Sequence, residues 1–132
     1  MKTSSPPSAA TIAAVHKLLT ANPDLSIQGW SRAGIYAKKS PPNSDGFARH
    51  RAELYTTESV QQILTAVEFC RHVIIHPRVN SYVVKHAMER WGKEHGMESY
   101  ISNGCGIAGA MVYGYSAVRI PNSLNCILSD RR

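Results

Sequence analysis

Four glycines, Gly104, Gly106, Gly109 and Gly114, fall in a run otherwise made of Cys105, Ile107, Ala108, Ala110, Met111, Val112 and Tyr113. Ser102 and Asn103 precede them, and both residue types are strong helix N-caps, so the pattern predicts a helix. Each interior glycine costs such a helix about 1 kcal/mol relative to alanine. A helix with this many glycines must recover the loss through close packing, because a missing Cβ lets another backbone approach. The neighbour is either another segment of this chain, such as the helix before it, or a second copy, which makes a homodimer the alternative.

The remaining elements follow from periodicity and punctuation. Ile12, Val15, Leu18 and Leu19 mark one face of a helix over residues 9–20, ended near Asn22-Pro23. Thr57 and Glu58 suit the start of a second helix, in which Val60, Ile63, Leu64, Val67, Cys70 and Ile74 keep helical spacing to about His76, before Pro77. Asn80 or Ser81 caps a third, with Val84, Ala87, Met88 and Trp91 turned inward and Gly92 or Gly96 as the stop. Residues 34–37 and 47–55 read as extended arms of a hairpin around the turn formers of residues 40–46, and Val118, Ile120, Leu124, Cys126 and Leu128 flank Pro121-Asn122-Ser123 as a second hairpin. The expectation is one α+β domain over residues 9–132, behind a flexible leader at 1–8, with four helices and two β-hairpins. Its core is predicted to hold Ile63, Leu64, Val67, Val84, Met88, Trp91, Ile107, Met111, Val118 and Leu124.

At 43% apolar and 18% charged residues the chain lies away from the disordered class. Cys70, Cys105 and Cys126 are too few and scattered for a disulfide framework and form no C-x-x-C pair. The polar Ser4-Ser5-Pro6-Pro7-Ser8 stands where a secretory signal needs apolar residues, and no apolar run approaches the roughly 20 residues of a membrane span. A cytoplasmic protein with reduced thiols and no membrane association is expected.

The fragments Asn80-Ser81-Tyr82-Val83-Val84-Lys85-His86-Ala87-Met88-Glu89-Arg90, Tyr100-Ile101-Ser102-Asn103-Gly104 and Pro121-Asn122-Ser123-Leu124-Asn125 resemble a pattern in small uncharacterised proteins of bacterial genomes and mobile elements. The resemblance covers the C-terminal half only. It implies a prokaryotic or phage setting and assigns no activity and no functional residue.

Fifteen Lys and Arg against nine Asp and Glu give a formal charge of +6, which favours an acidic partner: DNA, RNA or an acidic protein surface. In the first hairpin Arg32, Lys38, Lys39, Arg49 and Arg51 meet only Asp45 and are interleaved with Trp30, Tyr36 and Phe47, a composition suited to phosphates and bases. The same lysines also suit a solvated hairpin that resists edge-to-edge pairing. Helix, helix and hairpin in succession are the order of a winged helix-turn-helix, yet residues 104–115 lack the Arg, Lys, Asn or Gln of a recognition helix. In a winged-helix-like arrangement that helix would be buried, and Arg78, Lys85, Arg90, Lys93 and Arg119 would hold phosphates. The leading expectation is thus a small nucleic-acid-binding or regulatory protein. The runner-up is a protein-interaction module, such as a phage-type inhibitor of a host complex.

Cys105 at a helix start raises a third reading, an activated thiol with His72, His76, His86 or His95 as base, against a plain core cysteine or a phosphate cradle that lacks the Walker lysine. His72 and His76 have the i, i+4 spacing of two metal ligands but no third, and Glu53, Glu58 and Glu68 read as solvated charges. No catalytic residue, metal or cofactor is predicted.

Overall fold

The computed structural model describes residues 9–31, 45–75, 78–121 and 123–129. These form a mixed α+β fold of five helices and two small antiparallel sheets. None of the helices is long and apolar enough to cross a membrane. The leader, Arg32, Lys38, Lys39, the expected arm at 34–37, His76 and Pro77 lie outside the described residues.

Helix α1 (Ala9–Ala21) buries Val15 and Leu19. Asn22 closes it, its side-chain amide donating to Leu18 O at 2.8 Å, and Pro23 cannot continue it. A tight hairpin follows, β1 (Leu25–Ser26) on β2 (Gly29–Trp30). Residues 47–55, expected as a strand, are helical instead: α2 (Asp45–Ala52) runs into a 3-10 turn, Glu53–Tyr55. The cause is non-local. Arg51 reaches back from α2 and donates to Leu19 O, Asn22 O and Leu25 O at 2.7 to 3.1 Å. It places a cation at the negative end of α1 and ties that end to β1, adding to the backbone donors that Leu19 O and Asn22 O already have in Asn22 N–H and Leu25 N–H.

Helix α3 (Thr57–His72) is capped by Thr56, one residue before the expected Thr57, and buries Val60, Ile63, Ala66, Val67, Phe69 and Cys70. It stops at His72, short of His76, because the β-branched Val73, Ile74 and Ile75 leave the helix; Val73 is extended, and Ile75 N–H donates to the Tyr115 hydroxyl at 3.0 Å. Strand β3 (Arg78–Asn80) leads into α4 (Ser81–Glu94), where the Asn80 side chain accepts from Tyr82 N–H. At the other end Gly96 takes φ 71° and Met97 N–H reaches Gly92 O at 2.8 Å, a Schellman closure.

Helix α5 (Asn103–Tyr113), the glycine-rich one, is the centre of the molecule: every residue from Asn103 to Ala110 is buried. Its close neighbours are within the chain. A Cβ on Gly109 would stand 2.4 Å from Ala66 Cβ and 2.7 Å from Ile63 O, both on α3, and one on Gly104 would run into Ser26 O of β1. The face of Gly104 and Gly109 is therefore covered within the chain, at Gly109 by α3 and not by the helix immediately before α5. Strands β4 (Ser116–Arg119) and β5 (Cys126–Ser129) form the expected C-terminal hairpin, and β3 adds to its other side, giving the order β3-β5-β4. Cys126 and Leu128 face the core, whereas Val118, opposite Ile127, points outward and is 48% exposed, which corrects its placement in the core. Leu124, also expected there, is only half-buried, and Trp91 and Met111 sit at the core margin. With Asn103 to Ala110 buried, α5 presents no recognition face to a groove.

Candidate nucleic-acid interface

The start of α5 is occupied by the protein itself. Ser102 Oγ accepts from Cys105 N–H, Gly104 N–H donates to Ile27 O at 2.9 Å, and Asn103 donates to Gln28 O and Asn125 Oδ1. With the β1–β2 turn seated there, the amides have no room for a phosphate. Cys105 is fully buried and its thiol donates to Ser59 O. Burial pushes its pKa up, against smaller opposing effects of Ser102 and Ser59, which is the reverse of what an activated nucleophile requires. Burial likewise raises Cys126 and pushes Cys70 up to about 12. Two of the histidines considered as bases, His72 and His95, stack on the Trp91 indole, with ring centroids 5.7 and 4.2 Å away. His72 also pairs with Glu68. Among the described residues, no three His, Cys, Asp or Glu side chains converge as metal ligands.

The predicted phosphate-contacting cations separate into two groups. Arg51, Lys85 and Arg119 are engaged inside the fold. Arg119, on the core-facing side of β4, pairs with Asp24 at 3.0 Å, donates to Ser31 O and lies 4.9 Å over the Trp30 ring. Lys85 is 11% exposed at its side chain and pairs with Glu89 at 2.7 Å. Arg49 on α2, Arg78 on β3, and Arg90 and Lys93 on α4 stand exposed.

One face of α4 joins several of these features. Tyr82, Lys85, His86, Glu89, Arg90 and Lys93 recur at three- and four-residue steps, opposite the buried Val84 and Met88. Glu89 organises this face. One carboxylate oxygen accepts from Lys85 Nζ and, at 3.0 Å, from Ile101 N–H; the other lies 3.3 Å from His86 Nδ1. Burial works against its charge, but hydrogen bonds from Lys85 and Ile101 and the charges of Lys85 and His86 prevail and hold the carboxyl below its ordinary pKa. The Ile101 bond draws in the loop after α4 and brings Tyr100 beside Lys85, whose ammonium lies 5.0 Å from the Tyr100 ring centre and 5.7 Å from that of Tyr82. Tyr82 in turn meets His86 edge to face at 4.6 Å. The two tyrosines are 48% and 59% exposed, and the exposed cations Arg90 and Lys93 lie further along the same helix face as Tyr82.

No protein-family model matches the chain, and no curated protein or solved structure is significantly similar to it.

Sequence reasoning included Lys85, Arg90 and Lys93 but missed Tyr82, Glu89 and Tyr100. The signal for Tyr82 and Glu89 was available, since both lie on the helical face opposite Val84, Ala87, Met88 and Trp91. Tyr100 carried none, because a hydrogen bond to Glu89 from the residue after it sets its position.

Proposed function

We propose that the protein binds nucleic acid on the outward face of α4. The supporting observation is the joining of exposed Tyr82 and Tyr100 rings, through Lys85 and Glu89, to a helix face that continues into Arg90 and Lys93. In this reading Arg90 and Lys93 hold phosphates, and Arg78, just ahead of the helix, extends the basic track. Two to three phosphate contacts would weaken binding between roughly 50 and 200 mM salt by about ten- to fortyfold for a duplex and about seven- to eighteenfold for a single strand.

The test is a titration of a labelled random-sequence oligonucleotide across that salt range, with wild type, Arg90→Glu, Lys93→Glu, their double variant, and Lys17→Glu on α1 as the control matched in charge to each single variant. Each single reversal on α4 should weaken binding, the double should abolish it, and Lys17→Glu should leave most of it. Absence of binding at the lowest salt, or a loss in Lys17→Glu equal to that in the single α4 variants, refutes the reading. The exposed Tyr82, Val83 and Tyr100 also favour a second reading, docking to an acidic protein surface, since aromatic side chains anchor such interfaces.

A further inference from the structure

We infer that this surface takes single-stranded nucleic acid, with bases stacked on Tyr82 and Tyr100; the inference rests on the nucleic-acid reading above. In a duplex the base faces are already stacked on one another, so an exposed tyrosine ring finds none to cover. An unpaired strand offers every base face, and aromatic side chains on a basic surface are the usual platform for it. Here both rings are about half-exposed and are fixed by a shared partner. Lys85 Nζ stands near both ring centres, so the rings can be no further apart than those two short contacts laid end to end, a span that one or two nucleotide steps cover. Held by Glu89, this ammonium acts as a spacer between the rings and not as a mobile arm.

The rest of the face agrees with a strand laid along the helix. Arg90 and Lys93 follow Tyr82 by two and three turns, placed to track a phosphate backbone leaving the stacking site. A helix inserted into a major groove would need Asn, Gln or Arg near its N-terminal end to read base edges, and there α4 presents Tyr82, Val83 and His86. It would also bring the exposed Glu94 between two walls of phosphate.

The experiment compares a fluorescein-labelled oligothymidylate with a blunt duplex of equal length by anisotropy at one low salt concentration. The single strand should bind about tenfold more tightly, and Tyr82→Ala or Tyr100→Ala should each lower its affinity by about tenfold, the loss of one stacked base. Tyr82→Phe and Tyr100→Phe keep the ring and should bind as wild type. Melting temperatures of all four variants confirm folding, which half-exposed positions should preserve. Equal or tighter binding of the duplex, or alanine variants with wild-type affinity for the single strand, overturns the stacking inference and leaves the phosphate contacts standing. No binding of either probe removes both.

Discussion

Adding one methyl group at Gly109 and, separately, at Gly106 should move stability in opposite directions, although the two sites lie on the same helix. Alanine gains about 1 kcal/mol over glycine in helix propensity at either site. At Gly109 the new Cβ would be 2.4 Å from Ala66 Cβ and 2.7 Å from Ile63 O. Carbon atoms pack best at about 3.5 to 4.0 Å, so α3 and α5 must separate by an ångström or more, at the upper end of the 1 to 3 kcal/mol typical of overpacking. The net expectation is a destabilisation of about 2 kcal/mol, or a melting temperature lower by roughly 6 to 10 °C. At Gly106 the nearest atom is Met88 Sδ at 3.3 Å, the flexible part of a thioether that can turn aside. That variant should gain up to about 1 kcal/mol. Urea denaturation with matched m-values reads both changes. Shifts of the same sign and size, or a Gly109→Ala protein as stable as wild type, would refute the assignment of α3 as the close neighbour.

Other outcomes follow from the buried groups. Iodoacetamide at neutral pH should label Cys70, Cys105 and Cys126 slowly in the folded protein, Cys105 no faster than the others, and rapidly after denaturation, because burial raises all three pKa values; fast selective labelling of Cys105 would restore it as a nucleophile. Arg51→Ala should cost about 2 kcal/mol by removing the guanidinium that ties the end of α1 to β1, and Arg51→Lys should recover little, since an ammonium cannot reproduce the fork to three carbonyls; a neutral effect on the urea midpoint would contradict this. Glu89 has a folded pKa below its ordinary 4.5, so the unfolded chain takes up its proton first as pH falls; the stabilisation is complete above that value and is lost as pH drops through the folded pKa. Glu89→Gln should therefore flatten the acid side of the stability profile, and an unchanged profile would mean the carboxylate is not held as described.

Local signals carried the helices well. Asn80, Ser102, Asn22-Pro23 and Gly96 act at or beside the boundaries where their chemistry placed them, and the faces of α3 and α4 obey the 3.6-residue period. What failed depends on partners distant in the chain. The turn formers of residues 40–46 suggested that 47–55 is one arm of a hairpin, but Arg51 finds its acceptors more than twenty residues earlier. Strand β3 has only three residues and exists through β5, so no periodicity could show it. On the outward face of α4, Arg90 and Lys93 stand exposed as a charged helical residue should. Lys85 looked the same in sequence, yet Glu89 and two tyrosines enclose it. Arg119 follows the same lesson: strand alternation turns it inward with Cys126 and Leu128, and Asp24 and Trp30 receive its charge.

Amide chemical shifts of the isotope-labelled protein, followed while a short oligothymidylate is added, locate the binding surface. Shifts should concentrate on residues 78–100, with Tyr82, His86, Arg90, Lys93 and Tyr100 largest and α1 and α5 quiet. Perturbations centred instead around Arg49 on α2, or no change up to saturating oligonucleotide at low salt, would show that the outward face of α4 is not where nucleic acid binds.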